Sequence, residues 1–280
     1  KGYYKEAGLD VDIIEPGDNA TTSMVAAGKA DFGVSYQEDV TYALTSEDPL
    51  PIKTIATIIQ HNTSGFVSLK SANINSVKDF EGKTYAGWGA PSEEAVIKAV
   101  MNEAGADFNK LTIVGSDGSG IAGLSDEVGK NKVNLGWEFY GWAIIKAMQD
   151  GYDVNYMPLA DLDSRLDYYT PVIITNNKMI KKNSDTVKKF MEATKKGYEY
   201  AIDHPNKAAE ILHEDALKDT DMKFLKESQK YLSSQYAKDA DSWGVMKDSV
   251  WNNYTDFMYE TGLINKKIDA KDQYTNEFVK

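Results

Sequence analysis

The sequence predicts an α/β fold, and three observations carry that prediction. Short runs rich in apolar and β-branched residues recur through the first two thirds of the chain, stretches with helical spacing separate most of them, and Gly or Pro punctuates the joints. Strands alternating with helices are the pattern of βα units, so a mostly parallel sheet is expected.

In chain order, VDIIE (Val11–Glu15) reads as a short apolar strand ended by Pro16 and Gly17, and TTSMVAAGKA as a helix that stops near Gly28. ADFGVS is the next strand, followed by a helix through Val40–Leu44. TIATIIQ (Thr54–Gln60) and FVSLK (Phe66–Lys70) are strand-like by their β-branched content. After the polar turn SVKDFEGK, TYAGWG is a strand. PSEEAVIKAVMNEAG then has helix grammar: Pro91, Ser92 as N-cap, Glu93 and Glu94 in the first turn where the helix dipole favours acids, and Gly105 at the end. Val96, Ile97, Val100, Met101 and Ala104 share one face of it. LTIVGS and KVNLGWE are further strands, WAIIKAMQDG a helix, and TPVIITN a strand that returns the chain. From Ser184 onward the pattern is helical only. Trp243, Met246, Val250, Trp251, Tyr254, Phe257 and Met258 follow helical spacing and form the apolar face of a last long helix.

Composition removes several function classes. The 280 residues can bury one large core or two small ones. With 31 Lys and Arg against 43 Asp and Glu, a formal charge of -12, binding to nucleic acid through its phosphates is not expected. The absence of cysteine excludes disulfides, thiolate nucleophiles and sulfur-ligated metals. No long uncharged apolar run spans a membrane or forms a secretory signal, which fits a mature exported domain and a cytosolic protein equally.

Motifs for catalysis are weak. GSGIAG (Gly118–Gly123) matches the dinucleotide pattern G-x-G-x-x-G after a strand, with Glu138 downstream, but the stretch from Gly123 to Val133 is too short for a crossover helix, and a flexible Gly-rich loop is the better reading. His204 and His213 sit in polar helical surroundings without metal-ligand spacing. His61, in IIQHNTSG after a buried strand, fits a turn or a ligand contact equally. No nucleophile elbow, H-E-x-x-H or phosphate loop occurs, so no metal, cofactor or turnover is expected.

Three segments share a more specific property. SYQED (Ser35–Asp39), GWGAPSEE (Gly87–Glu94) and GWEFYGW (Gly136–Trp142) each follow a strand's carboxyl end and set aromatic rings beside a carboxylate. Rings stack on the faces of a flat heterocycle, and a carboxylate accepts hydrogen bonds from its N–H or amine edge. Any one of these aromatics is as readily a core residue; three such clusters at equivalent positions favour a ligand site. Within GWEFYGW, strand alternation points Trp137 and Glu138 to opposite faces. Glu138 should therefore face water or ligand, and one of Trp137 and Trp142 should pack as core.

KGYYKEAGLDVDIIEPGDN, MVAAGKADFGVS, SYQEDV, IIQHNTSGF, GWGAPSEEA and WEFYGW together resemble the substrate-binding proteins of ABC importers in the group related to fungal thiamine-pyrimidine synthases. The resemblance covers nearly the whole chain; GKADFGVS is shared broadly, and GWGAPSEEA with WEFYGW is more specific. It implies a type II periplasmic-binding-protein fold, two α/β lobes with a ligand cleft between them. Residues 1–70 would form the first part of lobe I, 71–161 lobe II, and 162–280 the crossing strand and the return to lobe I. It also implies a thiamine precursor as ligand, an aminopyrimidine of hydroxymethylpyrimidine or formylaminopyrimidine type, with an ABC transporter membrane permease as partner and an extracytoplasmic location, periplasmic or lipid-anchored.

By position in the matching motifs, Glu138 would pair with the pyrimidine edge, Tyr140 and Trp88 would stack on the ring, and Tyr36 and Glu38 would close from the other lobe. His61, Ser92, Glu93 and Trp137 complete the candidate ligand-binding set. Members of the family begin with a strand before the helix ending in KGYY, so the chain is expected to lack an N-terminal, central strand and its loop. The fungal synthases carry a cysteine-rich motif and consume pyridoxal phosphate. An enzyme on this scaffold, pyridoxal-dependent or dinucleotide-dependent, stays the alternative class, and riboflavin, a sulfonate or a polyamine stay alternative ligands.

Overall fold

The β-branched runs become strands divided between two units. In the computed structural model, which describes residues 1–17 and 20–279, the strands are β1 (Phe32–Ser35), β2 (Ile52–Thr57), β3 (Ser64–Leu69), β4 (Thr84–Gly87), β5 (Thr112–Gly115), β6 (Leu135–Phe139), β7 (Val154–Pro158) and β8 (Val172–Asn176). The helices are α1 (Tyr3–Glu6), α2 (Thr21–Ala26), α3 (Gln37–Thr45), α4 (Pro91–Glu103), α5 (Ile145–Gln149), α6 (Leu159–Leu162), α7 (Asn177–Lys182), α8 (Ser184–Asp203), α9 (Pro205–Asp215), α10 (Met222–Ser233), α11 (Asp248–Glu260) and α12 (Ala270–Gln273). One unit comprises Lys1–His61, Tyr168–Tyr259 and Ile264–Lys280, the other Asn62–Asp167 and Glu260–Leu263.

The first unit is built on a three-stranded sheet in the order β1-β8-β2, with β8 antiparallel to both neighbours. The expectation of a mostly parallel sheet is corrected here. β1 and β2 do run in the same direction, as a βα unit requires, but the returning strand inserts between them in the opposite sense. All five residues of β8 are buried, and they alternate between two cores. Val172 and Ile174 join Val25, Val40, Ile52 and Trp251 on one face, while Ile173 joins Ile55, Val187, Met191 and Trp243 on the other. A strand covered on both faces reads as a continuous apolar run, which is why VIIT carries no alternation.

Two further readings are corrected. Val11–Glu15 forms no strand; Ile13 is 93% exposed, and without a neighbour to pair its backbone an isolated extended run gains nothing from being strand. The first quoted family motif ends on Asp18 and Asn19, which lie outside the described residues. The last long helix begins at Asp248, so Trp243 and Met246 are buried ahead of it rather than on its face.

The second unit holds a five-stranded sheet in the order β5-β4-β6-β3-β7. β4 is parallel to β5 and β6, and β3 is antiparallel to β6 and β7. The carboxyl ends of β4, β5, β6 and β7 therefore share one edge. On one face Phe66 packs edge-on against Phe80, Tyr85 and Trp137; on the other Val67 packs with Ile121, Ile144 and Ala147. α4 starts with Pro91 at its first position after Ala90, so Ser92 lies inside the helix rather than capping it. Val96, Ile97, Val100 and Met101 are buried as their spacing predicts.

Candidate functional site

Three loops meet at the carboxyl ends of β4, β5 and β6 in the second unit, the edge where open α/β sheets bind ligands. The loop after β4 is shaped by Glu93. Its carboxylate is buried and accepts from the Tyr85 hydroxyl, from the Gly89 N–H at 2.8 Å and from the Trp88 N–H at 3.2 Å. Those bonds fold Gly87–Gly89 over the carboxylate, and Gly87 is glycine because a methyl there would lie 1.9 Å from the Glu93 Oε1. Glu93 thus holds Trp88, and Ser92 beside it is buried. Burial, then the bond to Glu93, pushes the Tyr85 hydroxyl far above its ordinary pKa, so it stays a donor.

Trp88 is 57% exposed and meets Trp137 edge-on, with ring centroids 5.1 Å apart. Trp137 in turn packs on the fully buried Phe66, at 5.8 Å. Neither tryptophan of GWEFYGW is fully buried: Trp137 is half-buried, and Trp142, in the single π-helical turn Tyr140–Ile144, is 48% exposed. π-turns widen the helix and are frequent where side chains are re-aimed at functional sites.

Glu138 lies on the sheet face opposite Trp137, as alternation requires, directly across from Gly65 of β3. It is half-buried, and among the described residues it accepts no hydrogen bond and forms no ion pair. Burial alone raises its pKa above the usual carboxylate value. The loop after β5 runs beside it: Ile121 is anchored in the core with Val67, which brings Gly120 to a place where a methyl would lie 3.8 Å from the Glu138 Oε1. No α-helix separates β5 from β6, so GSGIAG is a wall of this site and lacks the crossover of a dinucleotide motif.

In the first unit, Tyr36 ends β1's extended run and is 46% exposed. Gln37, fully buried, fixes the start of α3 by accepting from the Tyr169 N–H at 2.8 Å and donating to the Val250 carbonyl at 3.3 Å. Glu38 follows in the first turn and accepts from the Tyr254 hydroxyl at 3.3 Å; Tyr168, stacked on Tyr254 with centroids 4.0 Å apart, is a second donor. Burial first, and Asp39 second, push the Glu38 carboxyl up to about 7. Nearby, the Tyr42 hydroxyl is buried without a hydrogen-bond partner among the described residues, and burial lifts it to about 12. His61 pairs with Asp239 at 3.4 Å.

The structure thus places Trp88, Glu93, Trp137, Glu138 and Tyr140 along one edge of the second unit's sheet, Trp88, Glu93 and Trp137 linked on one face and Glu138 on the other, and Tyr36 with Glu38 at the start of α3 in the first. Sequence reasoning missed Tyr85, Tyr168 and Tyr254, whose hydroxyls hold the acids; Tyr254 was legible only as core. Among the described residues no group of three or more His, Asp or Glu is placed to hold a metal, and no helix is long and apolar enough to cross a membrane.

The sequence pattern of the NMT1/THI5 like family matches residues 1–208. A formylaminopyrimidine-binding protein of Halalkalibacterium halodurans is 28% identical over 217 residues, 75% of this chain and 62% of that protein, so the match spans less than two thirds of its length. The 4-amino-5-hydroxymethyl-2-methylpyrimidine phosphate synthase THI13 of Saccharomyces cerevisiae is 25% identical over 302 residues, covering 100% of this chain and 81% of that protein. Among solved structures, a Candida albicans protein described as having the generic periplasmic binding protein fold superposes with a TM-score of 0.64 at 16% identity, covering 100% of this chain and 90% of that one. That likeness establishes the fold.

Proposed function

From one premise, that the chain belongs to the NMT1/THI5-like family, we propose that it is the solute-binding component of an ABC importer that captures a thiamine-precursor aminopyrimidine. One observation carries the reading: Glu138 is a half-buried carboxylate at a strand's carboxyl end that no hydrogen-bond donor meets among the described residues. A desolvated acid costs free energy unless a donor meets it. The amine of an aminopyrimidine supplies such a donor, the ring nitrogen beside it joining as a second only when protonated, and Tyr140 and Trp88 offer rings for its faces. The formylaminopyrimidine-binding relative supports the same class of ligand. A binding component delivers its ligand unchanged to a membrane permease from outside the cytoplasm.

The synthase relative favours a second reading, an enzyme on the same scaffold. Mass spectrometry of protein purified under native conditions separates the two: a retained, unmodified pyrimidine supports binding, and a Schiff base with added pyridoxal phosphate or conversion of the pyrimidine supports the enzyme. Calorimetric titration of an aminopyrimidine into the protein and its Glu138→Gln variant tests the site. Losing a charge-assisted hydrogen bond in a desolvated site costs about 1.5–3 kcal/mol, roughly ten- to a hundredfold in affinity. Unchanged affinity in a folded variant would reduce Glu138 to a solvated strand end.

A further inference from the structure

We propose that Tyr156, in β7, is a positioning residue that sets both Glu138 and Tyr140 for the ligand; the inference rests on the reading of Glu138 just given and extends it. β3 lies between β6 and β7, and its Gly65 stands opposite Glu138 on one side. Tyr156 stands opposite Val67, two residues along, on the same face. Its side chain leans along the sheet toward the ligand edge and covers Gly65, where a methyl would lie 2.8 Å from Cε2 and from Cζ of the ring. The place beside Glu138 that a side chain at position 65 would fill is therefore taken by the Met157 carbonyl, 2.4 Å from where the methyl would lie, and by the Tyr156 ring.

The hydroxyl of that ring makes the second link. Tyr156 donates to the Thr63 carbonyl at 2.7 Å, and the same oxygen accepts the Tyr140 N–H at 2.9 Å. Tyr140 is the first residue of the π-turn, so one carbonyl ties the ring that flanks Glu138 to the backbone that aims the stacking ring. The two rings also meet edge-on, centroids 5.3 Å apart at 63°. A tyrosine serving only the core around Val67, Ile121 and Ile144 would not need the carbonyl it shares with Tyr140.

Tyr156→Phe keeps the ring and removes only the hydroxyl link. The probe is 4-amino-5-hydroxymethyl-2-methylpyrimidine, titrated calorimetrically into wild type, Tyr156→Phe, Tyr140→Leu, the double variant of these two, and Glu138→Gln, with circular dichroism confirming each is folded. The expected result is an affinity loss of about 3–10-fold in Tyr156→Phe, absent or much smaller in the Tyr140→Leu background, because the hydroxyl acts through the ring whose backbone it ties down. A purely structural tyrosine would cost the same factor in both backgrounds. Equal factors, or wild-type affinity in Tyr156→Phe while Glu138→Gln binds weakly, would overturn this inference and leave the proposed function standing. No binding by wild type, or full affinity in Glu138→Gln, would remove the reading on which both rest.

Discussion

Glu93 shows how one buried side chain can hold a loop in shape. Three donors converge on its carboxylate, two of them backbone N–H groups of the Trp88 loop. Glu93→Gln replaces one acceptor oxygen by an NH₂ that must confront a donor, so a buried donor loses its partner. The expected cost is about 1.5–3 kcal/mol of stability, measured by urea unfolding, together with a change in Trp88 fluorescence. Wild-type stability in the variant would show that the loop does not depend on the acid. In the sequence, Glu93 is legible as a first-turn acid of α4 and as a candidate ligand contact by its motif, and not as the anchor of the loop before it. Its burial depends on Gly87 and Tyr85, which reach it by the course of a strand, and helix grammar says nothing about that.

At the scale of the element, the strands and helices that satisfy themselves locally were legible and those that depend on a distant partner were not. α4 and α2 end where Gly105 and Gly28 take positive φ, at 70° and 71°, as their sequences predict. The slot between β1 and β2 is filled by a strand some 115 residues further on, and no local pattern announces a partner at that separation. Val11–Glu15 has a strand's composition and no strand to pair with; the π-turn after β6 follows an aromatic run that reads equally as helix. Glycines within strands give a test of the packing. At Gly33 of β1 a methyl would lie 2.5 Å and 2.9 Å from the Thr21 and Val25 methyls of α2, whereas at Gly115 of β5 nothing lies within 4 Å. Gly33→Ala should cost about 1–3 kcal/mol, and Gly115→Ala should be neutral or slightly stabilising through the unfolded chain. Urea midpoints for the two variants check the contrast, and equal effects would mean that α2 yields to the methyl without cost.

For the whole molecule, the acidic balance of the chain makes a buried acid a matter of global stability. With a formal charge of -12, any pH change that adds a negative charge to the folded state works against compaction. Glu38 is placed to do this near neutrality, since burial and Asp39 hold its carboxyl at about 7 while an unfolded glutamate keeps its ordinary value of 4.5. Below 4.5 both states hold the proton and Glu38 imposes no penalty. Between 4.5 and 7 the unfolded chain releases the proton and the folded protein keeps it, so stability falls as pH rises, and the loss is complete once the folded carboxyl has ionised. The hydrogen bonds from Tyr254 and Tyr168 favour the charged form and limit the penalty, which is on the order of 1–3 kcal/mol. Glu38→Gln removes the titration but keeps an acceptor for one tyrosine. The stability of the variant relative to wild type should therefore rise by that amount from pH 4.5 to pH 8. Because a chain with two units need not unfold in a single step, the measurement is hydrogen exchange of the α11 amides around Tyr254 across that range. A difference between variant and wild type that stays constant with pH would show that Glu38 ionises as an ordinary glutamate in the folded protein.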